Sequence, residues 1–344
     1  APVIVAARNV HKAFVYAAAL LDFDVVWLWP EKNTSLCACP VMPEHLDRTL
    51  KSLSVPPAAV YVTSPDYLGH VADVRALAEV CHQHGTLLLV DNAHGAYLHF
   101  LDSPAHPLDL GADMCCDSAH KTLPVLTGGA YLHISKRLTP VFSEKAKQAL
   151  ALFGSTSPSY LTLASLDACN AYLADGYSEH LAACIALTDR TKKALHEKGW
   201  QIAQSDPLRI TLRTDAELAA HLRSHGIECE FADRDHLVLM ITPENSEADF
   251  HRLLCALSVL HPVPVSDTRL PLCRAEQALS IREALFAPSE TIPVHQSKGR
   301  ICSAPLVSCP PAIPVVITGE RITQEAVSLL EYYGIERIEV LAHP

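Results

Sequence analysis

Two stretches decide the fold: Thr86-Leu-Leu-Leu-Val-Asp-Asn-Ala-His-Gly95 and Asp113-Met-Cys-Cys-Asp-Ser-Ala-His-Lys-Thr122. Each reads as a short apolar run ending in polar residues. A run that is apolar at successive positions fits a strand covered on both faces, as in a parallel sheet. Similar runs lie outward from these at Val3–Ala7, Val25–Leu28, Ala59–Val62 and Gly129–Ile134. Helical patterns separate them at His11–Leu21, Glu44–Leu53 and Val71–His84, and Gly85 offers the last a stop. The alternation predicts an α/β protein with a mostly parallel sheet. Ligands of such sheets bind beyond the carboxyl ends of the strands. If the two quoted strands are neighbours, Asp91 from one and Ser118, His120 and Lys121 from the other face one crevice.

Further along, residues 136–198 read as helical, punctuated at Ser157-Pro158 and ended by Gly199. A smaller α/β unit follows, with strands at Leu208–Leu212, Ile227–Phe231 and Leu237–Ile241 and helices at Ala216–His225 and Glu247–Leu260. The proline-containing stretch 261–271 reads as a linker. Beyond it come a helix at Cys273–Leu285, an irregular Pro-rich segment at 286–314, and a β-α-β pattern at Val315–Thr318, Thr323–Tyr333 and Ile338–Leu341.

The chain has 344 residues, of which 49% are hydrophobic and 19% charged, enough apolar material for a sizeable core. Its 27 Lys and Arg against 38 Asp and Glu leave a net charge of −11. That balance argues against a non-specific nucleic-acid binder or an anionic-membrane binder, both of which need a basic face. No apolar run approaches the roughly 18 residues a spanning helix needs, and the longest is Ala13–Leu21. The opening APVIVAARN lacks a basic-then-apolar signal layout. Twelve cysteines are scattered without a CxxC pair, and Cys37 and Cys39 are too close for ordinary zinc-finger spacing. No metal is expected. Reduced thiols in a cytoplasmic protein are the expectation, with Cys115 and Cys116 as core residues.

Taken singly, a strand-end Asp commonly caps a turn and a Lys is commonly solvated. As a pair they match the demands of pyridoxal 5'-phosphate (PLP). That cofactor needs a lysine amine to form a Schiff base and a carboxylate to keep the pyridine nitrogen protonated. It also needs hydroxyl or imidazole donors for its phosphate.

The run Ser118-Ala-His-Lys121-Thr-Leu-Pro, with Val90-Asp-Asn-Ala-His-Gly95 before it, resembles the ornithine/lysine/arginine decarboxylase family. Arg8-Asn-Val-His-Lys12 resembles that family's R-N-x-H-K segment. Val62-Thr-Ser-Pro65 with Tyr67 and Gly69 resembles its T-S-P-T-Y-x-G turn, and Ser155-Thr-Ser-Pro-Ser-Tyr160 with Ala164-Ser-Leu-Asp167 its next helix start. Phe286-Ala-Pro-Ser-Glu290, Gly299-Arg-Ile301, Pro310-Pro311, Ile313-Pro314 and Gly319-Glu320 resemble its C-terminal domain.

The resemblance implies fold type I, the aspartate-aminotransferase-like fold. It implies a PLP-binding large domain over 1–175, a small α/β domain over 176–262 and a C-terminal domain over 270–344. The implied activity is PLP-dependent decarboxylation of lysine, arginine or ornithine to an amine of the kind used in polyamine synthesis. By position, Lys121 is the Schiff-base lysine, Asp91 the partner of the pyridine nitrogen and His11 the imidazole stacked on the ring. Ser118 and His120 would contact the phosphate or its surroundings, Ala93 would let the ring lie flat, and His94 would sit on the substrate side. Thr156 and Ser157 would reach a neighbouring subunit's phosphate across a homodimer or larger homo-oligomer. His11 also suits the start of the helix that follows it, and Thr156-Ser-Pro the start of another.

The sequence departs from the pattern in places. The family carries a Gly/Thr/Ser phosphate loop upstream of the R-N-x-H-K segment, so a member lacking its N-terminal segment is expected. Asp66 stands where Thr is usual, Ala304 where Glu is, and Ala312 where Gly is. Two other outcomes stay open: a different fold-type I reaction (aminotransferase or lyase), or a non-catalytic remnant.

Overall fold

The computed structural model describes residues 1–30, 35–202, 206–214, 217–262, 272, 274–305 and 311–342. Nearly all of the expected linker at 261–271, together with Cys273 and Pro310, lies outside these. Six strands build the main sheet: β1 (Val3–Ala7), β2 (Asp24–Leu28), β3 (Ala59–Thr63), β4 (Leu87–Asp91), β5 (Met114–Asp117) and β6 (Tyr131–Ile134). Their order is β2-β1-β3-β4-β5-β6. All neighbours run parallel except β6, which pairs antiparallel with β5. The buried residues explain the apolar strands. Val5, Val60, Val62, Leu88, Val90 and Cys115 form one core with Leu46 and Leu50 of α2 (Pro43–Ser52) and Leu77 and Cys81 of α3 (Val74–Gln83). The other face packs α1 (Lys12–Leu21) through Phe14, Val15 and Ala18.

The crevice end of the sheet carries α4 (Ala119–Thr122), a single turn directly after β5. The helical stretch resolves into α5 (Thr139–Phe153), α6 (Tyr160–Ala174) and α7 (Tyr177–Glu197). α7 buries Tyr177, Leu181, Cys184, Thr188, Thr191 and Leu195 at three- and four-residue spacing, the stripe of a helix packed along one face. α5 buries no residue and α6 only Cys169.

A second, antiparallel sheet has the order β7-β9-β8, from β7 (Arg209–Arg213), β8 (Phe231–Ala232) and β9 (His236–Met240), covered by α8 (Glu217–Ser224) and α9 (Glu247–Ser258). The strand expected at Ile227–Phe231 shrinks to β8.

The C-terminal part corrects three expectations. The helix expected from Cys273 begins only at α10 (Ile281–Phe286), where Ser280 and Glu283 close a capping box. Upstream, Ala278 and Leu279 N–H both donate to Gly319 O, so that backbone is committed elsewhere. Gly319 itself has φ +88°, and a Cβ there would lie 2.4 Å from Leu279 O. Val315–Thr318 is buried but not a strand. The Pro314 and Val315 carbonyls accept from the Arg8 guanidinium, and Ile317 N–H donates to Glu320. Side chains satisfy this backbone in place of a neighbouring strand. The stretch expected to be irregular instead supplies β10 (Ser289–Pro293), which pairs antiparallel with β11 (Arg337–Leu341) beside α11 (Gln324–Tyr332).

Candidate active site

β4 and β5 are direct neighbours, with Asp91 in register with Cys116. The two quoted stretches therefore end side by side. Asp91 closes β4 and is buried, its Oδ2 accepting from Tyr61 OH (3.0 Å) and its Oδ1 from Ala93 N–H (3.1 Å). Its carboxylate is thus fixed by a phenol on one side and by the turn it caps on the other.

Lys121 sits on α4, whose first turn is closed by Lys121 N–H donating to Ser118 O (2.9 Å). Its Nζ lies 3.2 Å from His94 Nε2. His94 is buried with its ring edge-on to Tyr67, centroids 5.1 Å apart. Burial, aided by Arg209 and Lys121, holds the His94 imidazole well below its ordinary pKa. A neutral ring therefore faces the lysine amine, and its Nδ1 is a buried polar atom without a hydrogen-bond partner.

His11 has the helix-start role that its position suggested. It is the N-cap of α1, its Nδ1 accepting from Ala13 N–H (3.1 Å). It also lies within electrostatic reach of Asp91 and Lys121. Burial lowers its pKa, Asp91 opposes that, and Lys121 and Lys12 add to it.

Ser118 is half-buried at the start of α4. His120 turns its Nδ1 to Gly129 O (2.9 Å), which ties the lysine turn to the strand-leading turn at Gly128-Gly129. Thr156 and Ser157 are not brought to this crevice within the chain. They lie in the fully exposed connection between α5 and α6, where Ser157 N–H donates to Ser155 Oγ.

Several residues at the site were given no site role from the sequence, Tyr67 among them although it belongs to a quoted motif. Tyr61 is the one hydroxyl-bearing aromatic in the strand AVYVT. Tyr67 links His94 to Glu230, its OH donating to Glu230 Oε1 (2.8 Å). Buried Asp117, Asn92 and His106 form a polar group with the partly exposed His133 next to the lysine turn. Burial alone would raise the Asp117 carboxyl, but hydrogen bonds from His106 and His133 hold it well below the usual range. Cys115 is buried as expected, whereas Cys116 is exposed beside Asp91.

An amine, a buried carboxylate and a neutral imidazole thus converge at the ends of two adjacent parallel strands. Known proteins resemble this chain over most of its length. The family model for the major domain of Orn/Lys/Arg decarboxylases matches residues 1–243, and the model for their C-terminal domain matches residues 269–338. An arginine decarboxylase of Bacillus subtilis is 29% identical over 360 residues, covering 95% of this chain and 72% of that protein. One from Halalkalibacterium halodurans is also 29% identical, covering 93% of this chain and 70% of its own length. Among solved structures, the constitutive lysine decarboxylase of E. coli superposes with a TM-score of 0.78 at 17% identity, over 99% of this chain and 67% of that one. The fold is the fold-type I arrangement, and the chain spans about two thirds to three quarters of these relatives.

Proposed function

We propose that this chain, which belongs to the Orn/Lys/Arg decarboxylase family, carries out PLP-dependent decarboxylation of a basic amino acid: lysine, arginine or ornithine. One observation carries the reading. Asp91 and Lys121, distant in sequence, leave adjacent parallel strands into one crevice, the lysine against a neutral His94.

The donor set fits the cofactor. Lys121 supplies the amine that holds it, and Asp91 an acceptor-only carboxylate for its ring nitrogen. His11 supplies an imidazole in electrostatic reach of both. Ser118 and His120 lie on the lysine turn, where they would contact the phosphate or its surroundings, and Ala93 presents a small side chain beside Asp91. When bound, the cofactor acts as the electron sink for the carbon that loses CO₂.

The chain's own groups do the rest. Tyr61 OH and the Ala93 amide fix the Asp91 carboxyl in place, where it would face the ring nitrogen of a bound cofactor. His94 is kept neutral by burial, so it can share a proton with Lys121 without charge repulsion.

The exposed apolar side chains of α5 and α6 support a second copy covering these helices: Val141, Leu150, Leu152, Phe153, Tyr160 and Leu161. In that dimer Thr156 and Ser157 reach the partner's phosphate. The ten described cysteines are all free thiols, which suits the cytoplasm.

The test is direct. The purified chain is mixed with PLP, read for visible absorbance, and assayed with each of the three amino acids. Colour together with CO₂ and a diamine or agmatine supports the reading. A keto acid product instead supports transamination, and a colourless, inactive chain supports a non-catalytic role.

A further inference from the structure

Asp117 ends β5 and Asn92 follows the last residue of β4, so each sits one step from the chain segment that carries a proposed catalytic group. Asn92 Nδ2 donates to Asp117 Oδ1 at 2.7 Å, and Asn92 N–H to Cys116 O at 3.0 Å. These bonds join the two strand ends just past their last register pair, Asp91 with Cys116. Asn92 is fully buried and Asp117 is 3% exposed.

A carboxylate buried this deeply is tolerated only when its oxygens are satisfied. The second oxygen is. Asp117 Oδ2 lies 3.0 Å from His106 Nε2 and 3.1 Å from His133 Nε2. His133 stands on β6 and His106 on the loop leading into β5, so one carboxylate gathers four segments. The ligand-type atoms of Asp117 and the two histidines all lie within 4.8 Å of one another, as metal ligands would. However, Leu108 N–H donates to His106 Nδ1 (3.3 Å), which puts the ring proton on Nε2. That nitrogen is a donor to Asp117 and has no lone pair left for a cation.

We infer that Asp117 is a positioning residue for the reaction, acting through Asn92 and the two histidines to fix the separation between Asp91 and Lys121. The inference rests on the proposed function, since it presumes that these two residues act on one bound cofactor. Neither Asn92 nor Asp117 hydrogen-bonds Asp91 or Lys121 through its side chain. Their effect runs through the backbone of the two turns.

The experiment compares wild type with Asp117→Asn, His133→Gln and, as a control, Asp113→Asn. Asp113 is an equally buried carboxylate at the other end of the same strand, bonded to Leu88 N–H, His82 and Arg137. Three quantities are read: PLP affinity, the pH at which the visible band of the PLP-loaded protein titrates, and kcat against KM. Asp117→Asn puts an NH₂ group against an imidazole N–H or against Asn92, so the turns shift. PLP affinity and kcat are expected to fall about tenfold or more, KM for the amino acid to change little, and the band's titration to move. His133 is partly exposed, so His133→Gln keeps the fold and should move the same quantities less. Asp113→Asn should lower thermal stability without moving the titration.

If wild type develops a band and both test variants titrate as the control does, the inference is overturned and the functional reading stands. If wild type develops no band, the functional reading fails and takes the inference with it.

Discussion

Lys121 and His94 are in direct contact, Nζ to Nε2 at 3.2 Å, although 26 residues separate them in the chain. The contact exists because the turns after β4 and β5 fold back toward the same crevice. Its chemistry follows from burial. His94 cannot readily hold a proton there, so the pair presents one exchangeable charge instead of two repelling ones.

The first prediction concerns the amine itself. Lys121→Ala should abolish the visible band formed with PLP and lower decarboxylation by about a thousandfold or more. Lys121→Arg should do the same, because a guanidinium stays protonated and cannot act as the nucleophilic amine. Absorbance and CO₂ release check both variants. A retained band in Lys121→Ala would place the cofactor on another lysine.

The second concerns Asp91. Asp91→Asn keeps an acceptor for Tyr61 OH or Ala93 N–H but removes the negative charge. The fold should survive, while kcat falls by about 10²–10³. Tyr61→Phe removes one donor to the Asp91 carboxyl and should cost about 1.5–3 kcal/mol of stability or of transition-state binding, at or below the low end of the Asp91 effect. Steady-state kinetics with thermal melts separate the two. Equal losses in both variants would mean that Asp91 matters only as a structural acceptor.

Much of this site was legible because its residues come from strand ends. Asp91, Ala93, His94, Ser118, His120 and Lys121 follow apolar runs that could only be covered strands. Their convergence then depended on one fact, that β4 neighbours β5. The supporting shell was not legible. Tyr61 reads as an ordinary strand residue, and His106 and His133 meet Asp117 only through a loop path and an antiparallel pairing that no periodicity encodes. The C-terminal part misled for a related reason. Val315–Thr318 is apolar enough for a strand, yet Arg8 and Glu320 take its backbone partners' place. Ala312, noted as departing from a glycine, does adopt the left-handed region (φ +57°), and its carbonyl accepts from Lys12 N–H at the start of α1. The departure was visible in sequence, but the bond it serves was not.

The third prediction is an acid window. His94 and His11 both have folded pKa values below the ordinary 6.5, each chiefly through burial. Below about pH 6.5 the unfolded chain binds protons that the folded one refuses. Their contribution to stability is therefore complete above that value and is lost as pH falls through it, by at most about 1.4 kcal/mol per pH unit per group. Asp117, held low in the fold, adds a second loss below about pH 3.8. Thermal midpoints of the cofactor-free chain between pH 8 and 5 should fall, and His94→Gln should flatten that slope. An unchanged slope in the variant would mean that His94 is protonated in the fold.

The fourth concerns two motif residues that meet although 312 positions apart in the chain. The Arg8 guanidinium donates to Pro314 O and Val315 O at 3.0 Å each, and lies 3.4 Å from Glu320 Oε2. It also stacks over the rings of Trp27 and Trp29. Both partners are almost fully buried, so the pair links the first strand to the C-terminal segment without touching the crevice. Arg8→Ala strands a buried carboxylate and should cost about 3–5 kcal/mol. Glu320→Gln still offers an acceptor to Ile317 N–H and leaves Arg8 its two carbonyls and two indoles, so its cost should be smaller, about 1–3 kcal/mol. Replacing both, as Arg8→Ala with Glu320→Gln, removes both charges together and should recover part of the Arg8 loss. Urea unfolding of the four proteins in a double-mutant cycle should give a coupling of about 0.5–3 kcal/mol. Strictly additive costs would show that Arg8 is held by the carbonyls and indoles alone, with Glu320 serving only the Ile317 amide.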